Sequence, residues 1–108
     1  MNAQNNVPLT SEWKTDANGN PTGGKTTGIG LAIEWQEGIM SVGKNGAFVE
    51  DTIQASIDRL NFFNSTKFRC RENSLAITKL EEALHWLNHR TQLRLAQGVE
   101  DSYETHQD

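Results

Sequence analysis

Arg90 and Arg94 stand four residues apart, so on a helix they project from one face. Each guanidinium is a planar fork of donors that fits phosphate oxygens. Two forks one turn apart can grip a pyrophosphate or a pair of adjacent phosphates. Phe62, Phe63 and Asn73 supply an aromatic surface and a polar contact on either side of a connector. Arg90 and Arg94 lie about 25 Å up the helix from that connector, at about 1.5 Å rise per residue. One chain therefore cannot easily place Phe63, Asn73 and both arginines around one small ligand, whereas a site shared between subunits could. The plainer reading makes Phe63 a core residue and the arginines surface ion-pair partners. On pattern alone that plainer reading is favoured.

The other candidates carry less chemistry. Gly19-Asn-Pro-Thr-Gly-Gly24-Lys25-Thr26 fits the phosphate-cradling pattern GxxxxGK[ST], which needs a buried strand before it and a helix after it. Here the preceding segment is polar and the following one reads as a strand, so a flexible Gly-rich loop is expected instead. His85 and His89 share a helix face, but no HExxH and no carboxylate pattern completes a metal site. They read as solvated. Cys70, between Arg69 and Arg71, has the cationic neighbours that activate a thiol, yet a half-buried connector cysteine is the favoured reading. Glu81 and Glu82 read as solvating. No nucleophile–base set appears, so no catalytic residue, metal or cofactor is expected.

These residues must be positioned by a small chain. With 108 residues, 35% of them hydrophobic, and a mean hydropathy of −0.64, a monomer has a marginal core that oligomerisation would help. A net charge of −4 argues against DNA or RNA as partner, because such binders present a basic footprint. The lone Cys70 rules out an intrachain disulfide. No run approaches a membrane span, and Met1 to Glu12 has no apolar core of a signal peptide. A cytoplasmic location is expected.

Residues 1–27, poor in large apolar groups apart from Trp13, read as a flexible arm of irregular loops. From 28 to 46 a β-lobe is expected. Ile29, Leu31, Ile33 and Trp35 alternate with period two, Glu37-Gly38 is a turn, and Ile39 to Val42 is a second strand. Residues 47–98 read as a helical hairpin. Its first helix runs from about Phe48 to Asn64, with Ile53, Ile57, Leu60 and Asn64 on one stripe and Phe63 beside it. Ser65 to Glu72 connects. A long helix from about Asn73 to Gln97 carries Ile77, Leu80, Leu84, Leu87 and Thr91, and Gly98 ends it. An acidic tail occupies 99–108. The fold class is α+β: a small N-terminal antiparallel β-lobe, then a two-helix antiparallel hairpin. Each helix needs a partner, either the lobe or another subunit.

The order of residues adds a resemblance. Ile33-Glu-Trp-Gln-Glu-Gly is followed by Asn45-Gly-Ala-Phe-Val-Glu-Asp, by Ile57-Asp-Arg-Leu and by Phe62-Phe63. Next comes Lys67-Phe-Arg-Cys-Arg-Glu-Asn-Ser-Leu-Ala-Ile-Thr-Lys-Leu-Glu-Glu-Ala-Leu-His-Trp-Leu-Asn-His-Arg-Thr. Across about residues 29–100 this resembles the phage Thoeris anti-defence sponges, whose helical hairpin is shared with anti-CBASS nucleotide sponges. Beyond Arg94 the family's charged ending is replaced. Gln97 stands where a basic residue is usual, and the acidic tail is longer.

The resemblance implies a homo-oligomer, dimer or hexamer, in the cytoplasm of the infected bacterial host. It implies a protein that binds cyclic ADP-ribose isomers, including glycocyclic ADP-ribose, without cleaving them. The signal is made by TIR-domain proteins of the host. Some members also bind cyclic di- or trinucleotides in separate pockets. Matched residue by residue, Phe63 stacks on the adenine, Asn73 makes a polar contact, and Arg90 and Arg94 hold the pyrophosphate. Arg71 and Thr78 match the trinucleotide pocket of related sponges. Two alternatives remain open: a phosphodiesterase that destroys the signal, and a helical-hairpin adaptor that binds a protein.

Overall fold

A computed structural model of the chain describes residues 8–38 and 43–97. The order is β1 (Thr10–Thr15), β2 (Pro21–Gly28), β3 (Leu31–Trp35), α1 (Val49–Asn64) and α2 (Arg71–Gln97). The chain divides into a sheet unit through Ala47 and a hairpin unit from Phe48. The α+β class expected from the sequence is the one observed.

The sheet is an antiparallel meander in the order β1-β2-β3. It reaches much further toward the N-terminus than hydropathy indicated. Residues 10–28 form two strands, where the sequence reading expects a flexible arm. The reason is visible in the register. Trp13 lies opposite Gly24, which in turn lies opposite Trp35. The two indole rings sit 6.5 Å apart, flanking a glycine with no side chain of its own. A Cβ at Gly24, at φ 141°, would collide with the Glu12 carbonyl. From Pro21 onward the stretch that fits the phosphate-loop pattern is thus an extended strand with no helix after it, and not the flexible loop expected in its place. Thr26 is 7% exposed. Its hydroxyl accepts from Trp35 Nε1 at 2.9 Å and shares a hydrogen bond of 2.9 Å with Ser11. A buried polar group is tolerated when it is satisfied in this way.

Ile29 also departs from expectation. It starts the period-two pattern but lies in the β2–β3 turn, 86% exposed, and the strand begins at Leu31. Gly30, at φ 81°, lets the chain reverse there. The expected strand at Ile39 to Val42 and the acidic tail lie outside the described residues, as does Gly98. Past β3, the Gln36 side chain binds the Asn45 backbone and the Asn45 side chain binds the Glu37 backbone. Asn45 N donates to Gln36 Oε1 at 2.9 Å, and Glu37 N donates to Asn45 Oδ1 at 2.8 Å. Ala47 bridges Trp35 in parallel, so residues 45–47 line the outer side of β3.

In the β1–β2 loop, Asp16 accepts from the Asn18 and Asn20 amides at 2.8 and 3.0 Å and from Asn20 Nδ2 at 3.0 Å. These donors, the Asn20 side chain first, hold its carboxyl below the usual aspartate range.

The hairpin follows its heptad-like stripes. Ile57 is 4% exposed, the one buried apolar side chain among the described residues, with Ile53, Leu60, Ile77, Leu80, Leu84 and Leu87 half-buried. The Asp51 carboxylate accepts from the Phe48 amide at 2.8 Å and so closes the N-terminus of α1. Asn64 organises the connector. Its Oδ1 accepts from the Cys70 amide and from Asn73 Nδ2, both at 3.3 Å, while its Nδ2 donates to Ser74 Oγ at 3.1 Å.

Ile57→Ala empties the tightest point of the helix seam. It is expected to cost about 2–5 kcal/mol, read from urea unfolding at fixed protein concentration. Asp16 has a folded-state pKa below its unfolded value, so its contribution is full above the usual carboxylate range and is lost as pH falls through the folded value. An NMR titration should place the Asp16 midpoint below that of a free aspartate, and Asn20→Ala should move it back toward the ordinary range.

Candidate ligand-binding residues on the hairpin

Four of the six residues singled out in the sequence sit toward the connector. Phe63 is half-buried at the end of α1, with the Phe62 ring 6.1 Å away. The Arg59 guanidinium lies 4.7 Å from the Phe63 ring centre and 5.4 Å from that of Phe62. That is a cation–π clamp on the aromatic pair. Sequence reasoning passed over Arg59, although its i, i+4 spacing to Phe63 was a usable signal.

Asn73, in the first turn of α2, is turned inward by its bond to Asn64. Arg71, the first residue of α2, is exposed. Thr78 is exposed two turns on, and its hydroxyl donates back to the Ser74 carbonyl at 3.1 Å. Phe63 and Asn73 are thus brought together through Asn64.

Arg90 and Arg94 are at the other end. Arg90 Nη2 donates to Glu50 Oε2 at 3.3 Å, which ties the first turn of α1 to the last third of α2. That contact fixes the two helices as antiparallel. It also sets the Phe63–Arg90 separation at about 20 Å along the axis, at about 1.5 Å per residue. Arg94 is half-buried one turn further on. Glu50 was not legible as a site residue, since forty positions separate it from Arg90.

The arrangement can hold anions at the Arg90/Arg94 end and stack a planar ring at the Phe63 end. One hairpin cannot do both to one small molecule. His85 and His89 are exposed and lie edge-on to Trp86, at 5.7 and 6.0 Å. Cys70 is exposed rather than half-buried. Among the described residues no three His, Cys, Asp or Glu side chains converge as metal ligands. No helix among them is long and apolar enough to cross a membrane.

On the sheet, a shallow groove of about 300 Å³ is lined by Glu12, Trp13, Lys14, Gly24, Lys25, Glu34 and Glu37. It holds none of the six residues, and its three carboxylates outnumber its two ammonium groups, so it offers little to an anionic ligand.

Comparison with known proteins bears on the hairpin. The family model for the "Acb2/Tad1, hairpin domain" matches residues 31–92. The chain is 55% identical over 62 residues to "Thoeris anti-defense 1" of Bacillus phage SBSphiJ7, a stretch covering 57% of this chain and 44% of that protein. The chain thus spans less than half the length of this curated relative. The family match opens on the first residue of β3 and closes at Gln92, taking in Phe63, Arg71, Asn73, Thr78 and Arg90 and stopping short of Arg94. The chain belongs to the Acb2/Tad1 hairpin-domain family.

Proposed function

We propose that this chain is a phage anti-defence protein that captures a nucleotide immune signal and holds it without chemistry. The ligand is a cyclic ADP-ribose isomer such as glycocyclic ADP-ribose, and capture in the host cytoplasm blocks Thoeris signalling. The observation that carries this reading is the 55% identity to a protein named "Thoeris anti-defense 1", over a stretch as long as the hairpin match.

The geometry gives the reading a physical form. A base and a pyrophosphate need an aromatic face and paired guanidiniums. The hairpin has both, at opposite ends. Two hairpins laid head to tail bring the Phe63 end of one to the Arg90/Arg94 end of the other, so the ligand sits between subunits. Phe62, Leu75, Trp86 and Leu95 remain exposed on the helices of a single chain and supply apolar surface for such an assembly, dimer or hexamer.

On binding, Arg90 exchanges the half-buried Glu50 carboxylate for a phosphate. The Glu50 pair it gives up is worth little, about 0–1 kcal/mol for a surface ion pair. A phosphate gripped in a dry cleft is worth more, about 1.5–3 kcal/mol per charged hydrogen bond. Arg59 orients Phe63 by occupying one side of the ring. Asn73 takes the polar contact by releasing Asn64. Arg71 and Thr78 lie toward the other end of α2 from Arg90 and form a second, separate pocket for cyclic di- or trinucleotides of CBASS. In this division residues 47–98 carry the ligand sites and the β-lobe does not.

Thermal shift with cyclic ADP-ribose isomers, followed by heat release and mass analysis of the nucleotide, tests the reading. Ligand that binds the folded state alone raises the melting temperature. The expected result is a higher Tm and intact nucleotide recovered. A product of altered mass would make the protein a phosphodiesterase, and no shift with any nucleotide would leave a protein-binding adaptor. In isothermal titration, Arg90→Ala should weaken binding about tenfold to a hundredfold, the loss of about 1.5–3 kcal/mol. Phe63→Ala should lose about 1–3 kcal/mol of base stacking.

A further inference from the structure

The two edges of the sheet are not alike. The outer side of β3 is lined by residues 45–47 through the Trp35–Ala47 bridge. Among the described residues no strand pairs with the outer side of β1. All six residues of Thr10–Thr15 are exposed, including Trp13 at 67%. A bare strand edge offers a row of unpaired amides and carbonyls to another strand.

The direction of those groups can be read. A Cβ at Gly24 would strike the Glu12 carbonyl, so that carbonyl faces β2. Backbone groups alternate along a strand. The amides and carbonyls of Ser11 and Trp13 therefore face outward.

The side chains are self-complementary in one register. Glu12 and Lys14 flank Trp13 with opposite charge. We propose that β1 pairs antiparallel with β1 of a second copy of this chain, centred on Trp13, to make one continuous six-stranded sheet. Trp13 lies opposite the second copy's Trp13, and the two exchange backbone hydrogen bonds. Glu12 then lies opposite the second copy's Lys14, and Lys14 opposite its Glu12, in the more closely spaced non-hydrogen-bonded pairs.

The charges already in the sheet extend this match. Glu34, Lys25 and Glu12 form one cross-strand row, and Lys14 holds Glu37 at 2.8 Å. Joining the edges gives the sequence Glu34, Lys25, Glu12, then the second copy's Lys14 and Glu37, with signs alternating throughout. Glu12 is only loosely engaged with Lys25, at 4.0 Å, and is free to turn to the new partner. Sliding the register by two residues in either direction sets Glu12 against Glu12 or Lys14 against Lys14, which repel. On the opposite face, Trp35 and Trp13 of each copy form one aromatic stripe. The edge strand precedes residue 31, where the family match begins, so the pairing does not rest on the nucleotide reading.

Disulfide trapping in the full chain tests the pairing, with Cys70→Ser removing the native thiol. In non-hydrogen-bonded pairs the Cα atoms are about 4.5 Å apart, within disulfide reach. E12C/K14C should therefore oxidise to a covalent dimer, whereas E12C alone, displaced by two residues from its own copy, should not. Amide exchange gives a second readout. The Trp13 amide should exchange about tenfold more slowly once protein exceeds the dissociation constant about tenfold. E12K should abolish that slowing, and E12K/K14E, which restores opposite charges, should recover it. The proposal is overturned if E12C/K14C cross-links no more than E12C, or if E12K and E12K/K14E exchange alike. Neither readout uses nucleotide, so failure here and failure of the sponge reading are told apart.

Discussion

The shortage of buried apolar surface governs this protein. Two helices touching along one seam can enclose very little, and Ile57 is the one buried apolar side chain among the described residues. A small chain with so shallow a core relies on whatever fixes the ends of its elements. At one end of the hairpin that is Asn64, which ties the connector to the first turn of α2. At the other it is the Arg90–Glu50 ion pair. The same shortage leaves Phe62, Leu75 and Trp86 facing solvent in a single chain.

The sheet meets the constraint differently. Its strands are short and rich in Thr and Gly, and few of their side chains are large. What holds them together is a small polar centre at Thr26, enclosed by Trp35 and tied to Ser11. Gly24 lies opposite both tryptophans, and a side chain there would meet the Glu12 carbonyl and crowd Trp13. The charged face is ordered by cross-strand pairs. The Glu37 carboxylate accepts from Lys14, and by hydrogen bond and charge it holds that ammonium above the usual lysine range.

The candidate site follows from helix length. A straight antiparallel hairpin keeps its two ends apart, so groups placed near the connector and near the far end of α2 cannot meet within one chain. Phe63 and Arg90 are such groups. Arg90 is held by Glu50 and the aromatic pair by Arg59, so the groups at both ends are ordered within a single chain. The proposed capture between subunits would use these two ordered ends together, with little further ordering needed on binding.

Helical periodicity alone was enough to place α1, α2 and the connector within a few residues, because a stripe repeating near 3.6 has no other regular solution. The i, i+4 spacing of Arg90 and Arg94 likewise fixed their common face. The order of residues from Ile33 to Thr91 carried the family. The strands at 10–28 were not legible, because their stability comes from cross-strand partners and not from a run of apolar residues. Trp13 and Gly24 gain meaning only once they are opposed. Nor could local pattern assign Glu50 to Arg90 or Asn64 to its three connector bonds. Sequence determined what repeats along the chain. Tertiary structure decided what depends on distance between residues far apart in it, because hydrogen bonds and ion pairs form between neighbours in space, which folding alone creates.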